Sequence, residues 1–570
     1  MKRFKQIIIN YCTSQRAVFW TFLCMLVLPN VLMVYTESTT LLTRLIGLVL
    51  PLGLYWLVLS LAKKPGKAFW WLFWFIFIDA FQIVLLYLYG ESPIAVDMFL
   101  NVLTTNPDEA GELLGNLVPA VAAVVIVYGG GIVLSIVSWR NHHKLDPTFL
   151  KRQRRVGGIV TAAAVVLTGI NLTVDSRFAI EDDIFPINGT YNLGLALSRE
   201  QQTINYARNA ASFSYDARST RPDSLPEIYV LVIGETARAD NFGIYGYQRN
   251  TTPRLSAMRS ELAIYRDAIT MSNTTHKSVP LLLTAVGSQD DFTQAYRSKG
   301  LISAFRQAGY RTVWVSNQRR NHSLIDFLGC EAEHVTFIKD GLPIAANRHD
   351  DELLPAIGKE LAQYHGGKML LVVHCYGSHF NYSDRYPAQD SRFKPDHVIS
   401  ADAHERPTLL NAYDNTIVHE DRVLSSIIGA VAQKHVAAGL IYVSDHGEDI
   451  FDDARQRFLH ASPLPTYWQL RVPYVVWTSA EYRAQFPAKW QALLSHEQLP
   501  ISTNLVTFHT LMDMSGLTCR FFDVTDALSN RHFTTKPRLY VTDHDEFVPL
   551  RESGLKPADL EQMSKHGLKL

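Results

Sequence analysis

Ile228-Tyr229-Val230-Leu231-Val232-Ile233 runs straight into Gly234-Glu235-Thr236, and Leu440-Ile441-Tyr442-Val443 runs into Ser444-Asp445-His446-Gly447-Glu448. A third apolar run, residues 369–373, is followed by His374-Cys375-Tyr376-Gly377-Ser378-His379. With residues 312–315, 474–477 and 539–541, these short β-branched runs read as buried strands. Helical stretches stand between them, at 301–308, 351–363, 412–433 and 506–514. The alternation predicts an α/β domain with a largely parallel sheet flanked by helices on both faces. Ligands in such sheets bind beyond the carboxyl ends of the strands, so the residues after each strand carry the chemistry.

Those residues are carboxylates and imidazoles. Hard carboxylates with borderline imidazoles suit zinc or a similar divalent ion. An Asp or Ser after a strand also commonly caps a helix, and Asp445 alone reads either way. Three strand ends bearing ligand types together favour the metal. A nucleophile is offered by the hydroxyl-rich segment Thr270-Met271-Ser272-Asn273-Thr274-Thr275-His276-Lys277-Ser278-Val279-Pro280, which precedes the apolar run 281–285. A hydroxyl at a helix start gains from the positive end of the dipole, and a metal can hold it as an alkoxide. Thr274 and Thr275 each read as nucleophile or as cap.

The flanking sequence is of another kind. The chain has 570 residues with 54 Lys+Arg against 54 Asp+Glu, a formal net charge of zero. That balance excludes capture of nucleic acid by bulk positive charge. Apolar stretches crowd the first 174 residues, at about 17–35, 41–62, 68–89, 117–139 and 156–174, each near the ~20 residues that cross a bilayer as a helix. Basic residues lie in the N-terminal arm (Lys2, Arg3, Lys5, Arg16), between spans two and three (Lys63, Lys64, Lys67), and between spans four and five (Arg140, Lys144, Lys151, Arg152, Arg154, Arg155). The other loops carry acids, so the N-terminus is expected in the cytoplasm and the chain after about residue 175 outside. Asp79, mid-span, is either functional or a structural hydrogen-bonding group. Loop 90–116 is expected to hold a short surface helix capped near Asn106. Residues 175–226 read as a linker with an amphipathic helix at 195–211. The resulting domains are 1–174, five membrane helices; 175–226, interfacial helices and linker; and 227–570, the catalytic domain. Cys12, Cys24, Cys330, Cys375 and Cys519 are scattered, with no CxxC or Cys/His spacing, so neither a disulfide framework nor a Cys-type zinc site is supported. A Cys330–Cys375 or Cys375–Cys519 bridge stays open.

Val232-Ile233-Gly234-Glu235-Thr236-Ala237-Arg238-Ala239-Asp240-Asn241-Phe242, then Tyr245-Gly246-Tyr247-Gln248-Arg249-Asn250-Thr251-Thr252-Pro253, closely resembles the membrane phosphoethanolamine transferases of the alkaline phosphatase/sulfatase superfamily. The resemblance continues through Ser278-Val279-Pro280, Gly377-Ser378-His379 with Arg385-Tyr386-Pro387, and Ser444-Asp445-His446-Gly447-Glu448. The apolar N-terminal region and Thr105-Asn106-Pro107 match as well. It implies an alkaline-phosphatase-like domain behind a five-helix anchor in the bacterial inner membrane, with the catalytic domain periplasmic. Glu235, Thr275, Asp445 and His446 then resemble the family's zinc ligands, with Thr275 the nucleophile, five residues before Pro280. His379 and His460 resemble the pair that holds a second zinc or the phosphoethanolamine group and serves acid–base chemistry, with His374 beside them. Asn317, Arg319 and Arg320 match the region where the family binds phosphate. One tightly bound Zn2+ is expected, with room for a second, ahead of Mn2+. The partners implied are phosphatidylethanolamine as donor and a lipopolysaccharide or other envelope glycan as acceptor, with lipid A or core first; nucleic acid is not expected, and the chain is expected to be a monomer.

Two departures from the family stand out. The positions that many members use for a disulfide beside the nucleophile hold Met271 and Leu281, and the second half lacks the cysteine density of the lipid A-modifying members. Sulfatase chemistry needs a C/S-x-P-x-R pattern, and Ser278-Val279-Pro280-Leu281-Leu282 has Leu in place of Arg. A glycerol-phosphate polymerase of the lipoteichoic type and a non-enzymatic membrane receptor are the alternatives. Labelled donor lipid separates the first, metal analysis the second.

Overall fold

The computed structural model describes residues 11–570 except 12, 37–38, 91, 105–117, 176–177, 288–290, 344–347 and 399. Two compact units divide the chain, one of Met1–Leu100 with Leu113–Leu197 and the other of Asn101–Glu112 with Ser198–Leu570.

The first unit is helical. Gln15–Thr36, Leu41–Leu61, Val118–Arg140 and Pro147–Val174 are each long and apolar enough to cross a membrane. In place of one straight third span there is a pair, Pro65–Trp71 and Phe73–Leu88, bent by 73°. The Trp70 and Phe73 rings stack across the break at 5.4 Å. Asp79 lies in the second half of that pair, and both of its carboxylate oxygens are buried without a hydrogen-bond partner among the described residues. The short helix expected near Asn106 lies outside the described residues. The amphipathic helix is longer and starts earlier than its sequence suggests, at Ile187–Ile204, followed by the single turn Tyr206–Asn209.

The second unit is built on a seven-stranded mixed sheet. Its strands are β1 (Glu227–Gly234), β2 (Leu262–Ile264), β3 (Arg311–Ser316), β4 (His334–Phe337), β5 (Lys368–His374), β6 (Ala437–Ser444) and β7 (Tyr474–Thr478), in the order β2-β7-β6-β1-β5-β3-β4. The pairs from β6 to β4 are parallel, while β7 runs antiparallel to both β6 and β2. Residues of β1 alternate between two cores, as a strand's period of two requires. Tyr229, Leu231 and Ile233 pack in one and Ile228, Val230 and Val232 in the other. This double burial explains the unbroken apolar runs. Helices α1 (Thr275–Leu283) and α4 (Thr503–Ser515) supply residues to the first core, and α2 (Leu354–Ala362) and α3 (Arg406–Ala432) to the second. Residues 539–541 do form a strand, but outside the sheet, in a hairpin with Phe547–Pro549. A three-residue apolar run does not name its partner. The described Cys24, Cys330, Cys375 and Cys519 are free thiols, so neither of the two bridges left open forms; Cys375 is buried at the end of β5 and Cys330 is exposed.

Candidate active site and metal centre

The three chemistry-bearing strand ends meet because β1 lies between β5 and β6. Gly234 pairs with Ser444, and Ile233 with His374. The chain therefore leaves the sheet side by side at Glu235, Cys375 and Asp445.

The turn after β1 is tight. Thr236, a β-branched residue, holds a φ of 62°, which costs a non-glycine residue about 1–2 kcal/mol. Three hydrogen bonds hold it there. Its N–H donates to Asp445 Oδ1 at 3.0 Å, its hydroxyl donates to Glu235 Oε1 at 2.7 Å, and its carbonyl accepts from Tyr413 Oη at 2.7 Å. Across from it, Gly377 has a φ of 53°, and the Ser378 N–H donates to the Glu235 carbonyl at 2.9 Å.

Helix α1 separates the two candidate threonines. Thr274 is the N-cap residue, and its hydroxyl sits 3.0 Å from Ser272 Oγ. Thr275 is the first helical residue, half-buried, with Oγ1 3.0 Å from His446 Nε2 and 3.3 and 3.4 Å from the two Glu235 oxygens. The nine-residue helix points its positive end at that oxygen.

His446 Nδ1 lies 2.9 Å from the Gly447 carbonyl, so Nδ1 carries the proton and Nε2 the lone pair. Burial, then the neighbouring His460, pushes this imidazole well below the ordinary histidine range, so it is neutral. Nε2 faces Thr275 Oγ1, Asp445 Oδ2 at 3.2 Å and Glu235 Oε1 at 3.5 Å. Asp445 Oδ1 accepts two backbone N–H groups, while its buried Oδ2 is turned to the His446 ring and to Thr275. Burial raises the Asp445 carboxyl. Lone pairs from two carboxylates, an imidazole and a hydroxyl thus converge with one hydroxyl proton among them, an arrangement that repels itself and that a divalent cation completes. Glu235, His446 and His460 offer donor atoms within 4.8 Å of one another. A metal-binding imidazole whose other nitrogen donates to a carbonyl is the usual supporting arrangement. The residues fit a zinc-type ion.

His460 and His379 form the opposite wall. The His460 ring lies 4.3 Å from that of His446 and 5.6 Å from that of His379. His460 Nδ1 is 3.8 Å from Glu448 Oε2, and Glu448 Oε1 accepts from Tyr382 Oη at 2.8 Å. His379 Nδ1 donates to the Phe380 carbonyl at 2.7 Å, leaving the lone pair on Nε2, and its ring stacks on Tyr376 at 5.4 Å. Lys339 Nζ and Arg385 Cζ lie over the Tyr376 ring at 3.6 and 4.2 Å, and Arg385 Nε donates to the His379 carbonyl at 2.8 Å. Burial, then His460, Arg385 and Lys339, hold His379 well below its ordinary range.

The remaining sequence candidates sit elsewhere. His374 is buried against Trp314 at 5.4 Å with Nδ1 3.4 Å from Ser316 Oγ, and burial pushes it down to about 3. Its ring contacts no described histidine. Asn317 Nδ2 donates to Asp350 Oδ1 at 2.8 Å and the Arg348 carbonyl at 2.9 Å. Arg319 donates to the carbonyls of Leu342 and Pro343 at 3.3 and 2.9 Å. Arg320 pairs with Asp340 at 3.3 Å and covers the Phe337 ring at 4.3 Å. These three order the segment after β4. The cations beside His379 are instead Lys339 and Arg385. Arg385 was visible in its Arg-Tyr-Pro motif; Lys339 has no local signal.

Comparison with known proteins bears on the family and the fold. The sulfatase family model matches residues 227–517, just over half of the chain. The Kdo(2)-lipid A phosphoethanolamine 7''-transferase of Escherichia coli (strain K12) is 28% identical over 440 residues, covering 70% of this chain and 73% of that one. The integral membrane lipooligosaccharide phosphoethanolamine transferase A (EptA) of Neisseria meningitidis superposes with a TM-score of 0.72 over 90% of this chain and 98% of its own, at 20% identity, and so shares the fold. The C-terminal periplasmic domain of Escherichia coli EptC, solved in complex with Zn, superposes with a TM-score of 0.54 at 25% identity, over 61% of this chain and 98% of that one. By the extent of that family match, the chain belongs to the sulfatase family.

Proposed function

We propose that this protein is a metal-dependent transferase that moves phosphoethanolamine from phosphatidylethanolamine to lipopolysaccharide, at lipid A or core, or to another envelope glycan. Residues 1–174 anchor it in the bacterial inner membrane, 175–226 link, and 227–570 form the periplasmic catalytic domain. The observation that carries the reading is Thr275 Oγ1, held at the start of α1 within 3.0 Å of His446 Nε2 and 3.3 Å of Glu235. The similarity to the Escherichia coli transferase supplies the group transferred.

Glu235, Asp445, His446 and the Thr275 oxygen would hold zinc, which lowers the pKa of a bound hydroxyl and screens phosphodiester charge. Thr275 Oγ1 gives up its hydroxyl proton and attacks phosphorus; the Thr275 O–P bond forms, the P–O bond to diacylglycerol breaks, and the departing oxygen takes up one proton in place of the one the hydroxyl lost. The acceptor oxygen then attacks the same phosphorus and loses its proton to the pair His379 and His460; the bond from phosphorus to Thr275 Oγ1 breaks, and the proton returned to Oγ1 restores the hydroxyl. The lone pair on His379 Nε2, kept neutral by burial and by Arg385 and Lys339, suits it to receive that proton.

The test is incubation of the full chain in vesicles with phosphatidylethanolamine labelled in the ethanolamine. A phosphoethanolamine adduct on the peptide bearing Thr275, with labelled acceptor formed, is the expected result. Transfer of glycerol phosphate, or an adduct surviving in Thr275→Ala, would overturn the reading.

A further inference from the structure

Behind loop 376–379 a second group of ligand types is closed off from solvent. Asp350 opens the short helical turn Asp350–Leu353, Cys375 follows β5, and Glu420 lies in α3. Each offers one donor atom, and the three atoms lie within 4.8 Å of one another. All three residues are buried, at 3%, 0% and 3% exposure.

The hydrogen bonding around them is incomplete. Glu420 Oε1 is buried with no partner among the described residues. Tyr442 Oη, from β6, is also buried without a partner, and it is an electrostatic neighbour of both Glu420 and Cys375. Asp350 Oδ1 accepts from Asn317 Nδ2 at 2.8 Å and the Tyr376 N–H at 2.9 Å, while Oδ2 accepts only the Gly377 N–H at 2.7 Å. A carboxylate oxygen has two acceptor sites, so Oδ2 keeps a lone pair. Each buried polar atom left unmatched costs about 1–3 kcal/mol. Burial raises the Cys375 thiol, and burial with the Asp350 charge raises the Glu420 carboxyl. Two acids and a thiol crowded this way are poorly satisfied by one another.

We propose that Asp350, Cys375 and Glu420 bind a thiophilic divalent cation of the zinc class, at a site separate from the strand-end centre. One thiolate and two carboxylates are ligand types zinc accepts, and three donors from three elements within one small sphere fill three of its four tetrahedral positions, with the buried Tyr442 hydroxyl in the same neighbourhood. The ion ties the end of β5 to α3 and to the turn at Asp350. Asp350 in turn holds the backbone of Tyr376 and Gly377, so the role is to fix the loop that presents His379.

Cobalt tests this, because the strand-end centre supplies only oxygen and nitrogen donors. Purified full-length protein, stripped of metal and loaded with Co2+, is expected to show a near-ultraviolet thiolate-to-cobalt charge-transfer band. The band should vanish in Cys375→Ser and persist when Cys12, Cys24, Cys330 and Cys519 are all replaced by Ser. Glu420→Gln should lower the zinc bound per chain by one equivalent. Absence of the band in wild type, or its survival in Cys375→Ser, overturns the proposal. If Cys375→Ser does not accumulate, the four-serine variant decides alone: band present supports the site, band absent removes it. Failure of Thr275 chemistry would leave this band unchanged, so the two proposals stand or fall separately.

Discussion

Gly377 lies against Glu235 so closely that a Cβ at position 377 would meet the Glu235 carbonyl oxygen at 2.5 Å and its backbone nitrogen at 2.8 Å. The obstacle is backbone on a central strand end, which cannot yield without moving the carboxylate. The left-handed φ adds a penalty of about 1 kcal/mol for any side chain. Gly377→Ala should therefore displace Glu235 and cost roughly 10–100-fold in metal affinity and turnover. Zinc titration against a chelating dye, with thermal unfolding alongside, measures both. Unchanged affinity would mean the loop moves instead of the ligand.

Thr275 is half-buried at the mouth of the site, so its replacement should spare stability. Thr275→Ala is expected to lower transfer by roughly 10³-fold or more, the scale seen when a nucleophile is removed. Thr275→Ser keeps an oxygen at the helix start and should retain part of the rate. Transfer assays on matched amounts of folded protein compare them; equal activity of the alanine variant would remove Thr275 from the chemistry.

Thr236 acts through Glu235. Thr236→Val preserves the branched shape but removes the 2.7 Å bond to Glu235 Oε1. Loss of such an outer partner typically weakens metal binding by about 10–100-fold. Thr236→Ser restores the hydroxyl and should restore binding. Equal zinc affinity in the valine and serine variants would show that the hydroxyl does not orient the carboxylate.

His509 in α4 sets a pH dependence of stability. It is 5% exposed, its Nδ1 accepts the Asp523 N–H at 3.1 Å, and burial pushes it down to about 4. The unfolded chain binds this proton below about pH 6.5, while the folded chain refuses it until about pH 4. Stability is therefore full above pH 6.5 and falls as pH drops through that window, by about 3 kcal/mol for this residue. His509→Asn keeps an acceptor near the Nδ1 position without the charge. Denaturant melts at stepped pH should show a smaller loss in the variant; parallel curves would refute the assignment.

The strand ends were legible because their signals are local. Runs buried on both faces are apolar throughout, and Glu235, Asp445 and His446 follow them directly. β4 escaped notice because it is a half-exposed edge strand of four residues, His334–Phe337, too short to make an apolar run. β2 is three residues long and pairs only at the rim. Lys339 and Arg385 reach the same tyrosine from different segments, so no spacing relates them. The group of Asp350, Cys375 and Glu420 was invisible for the same reason: nothing in the intervals between them resembles a metal motif.

The order of amino acids alone determined where strands end and which ligand types follow them, because side-chain period and chain direction are properties of short segments. Only the tertiary structure decided which of those groups share a site. That depends on β1 lying between β5 and β6, on α1 presenting Thr275 and not Thr274, and on α3 carrying Glu420 to the back of the same loop. Each is a packing outcome between distant segments, set by burial of whole faces and not by any local pattern.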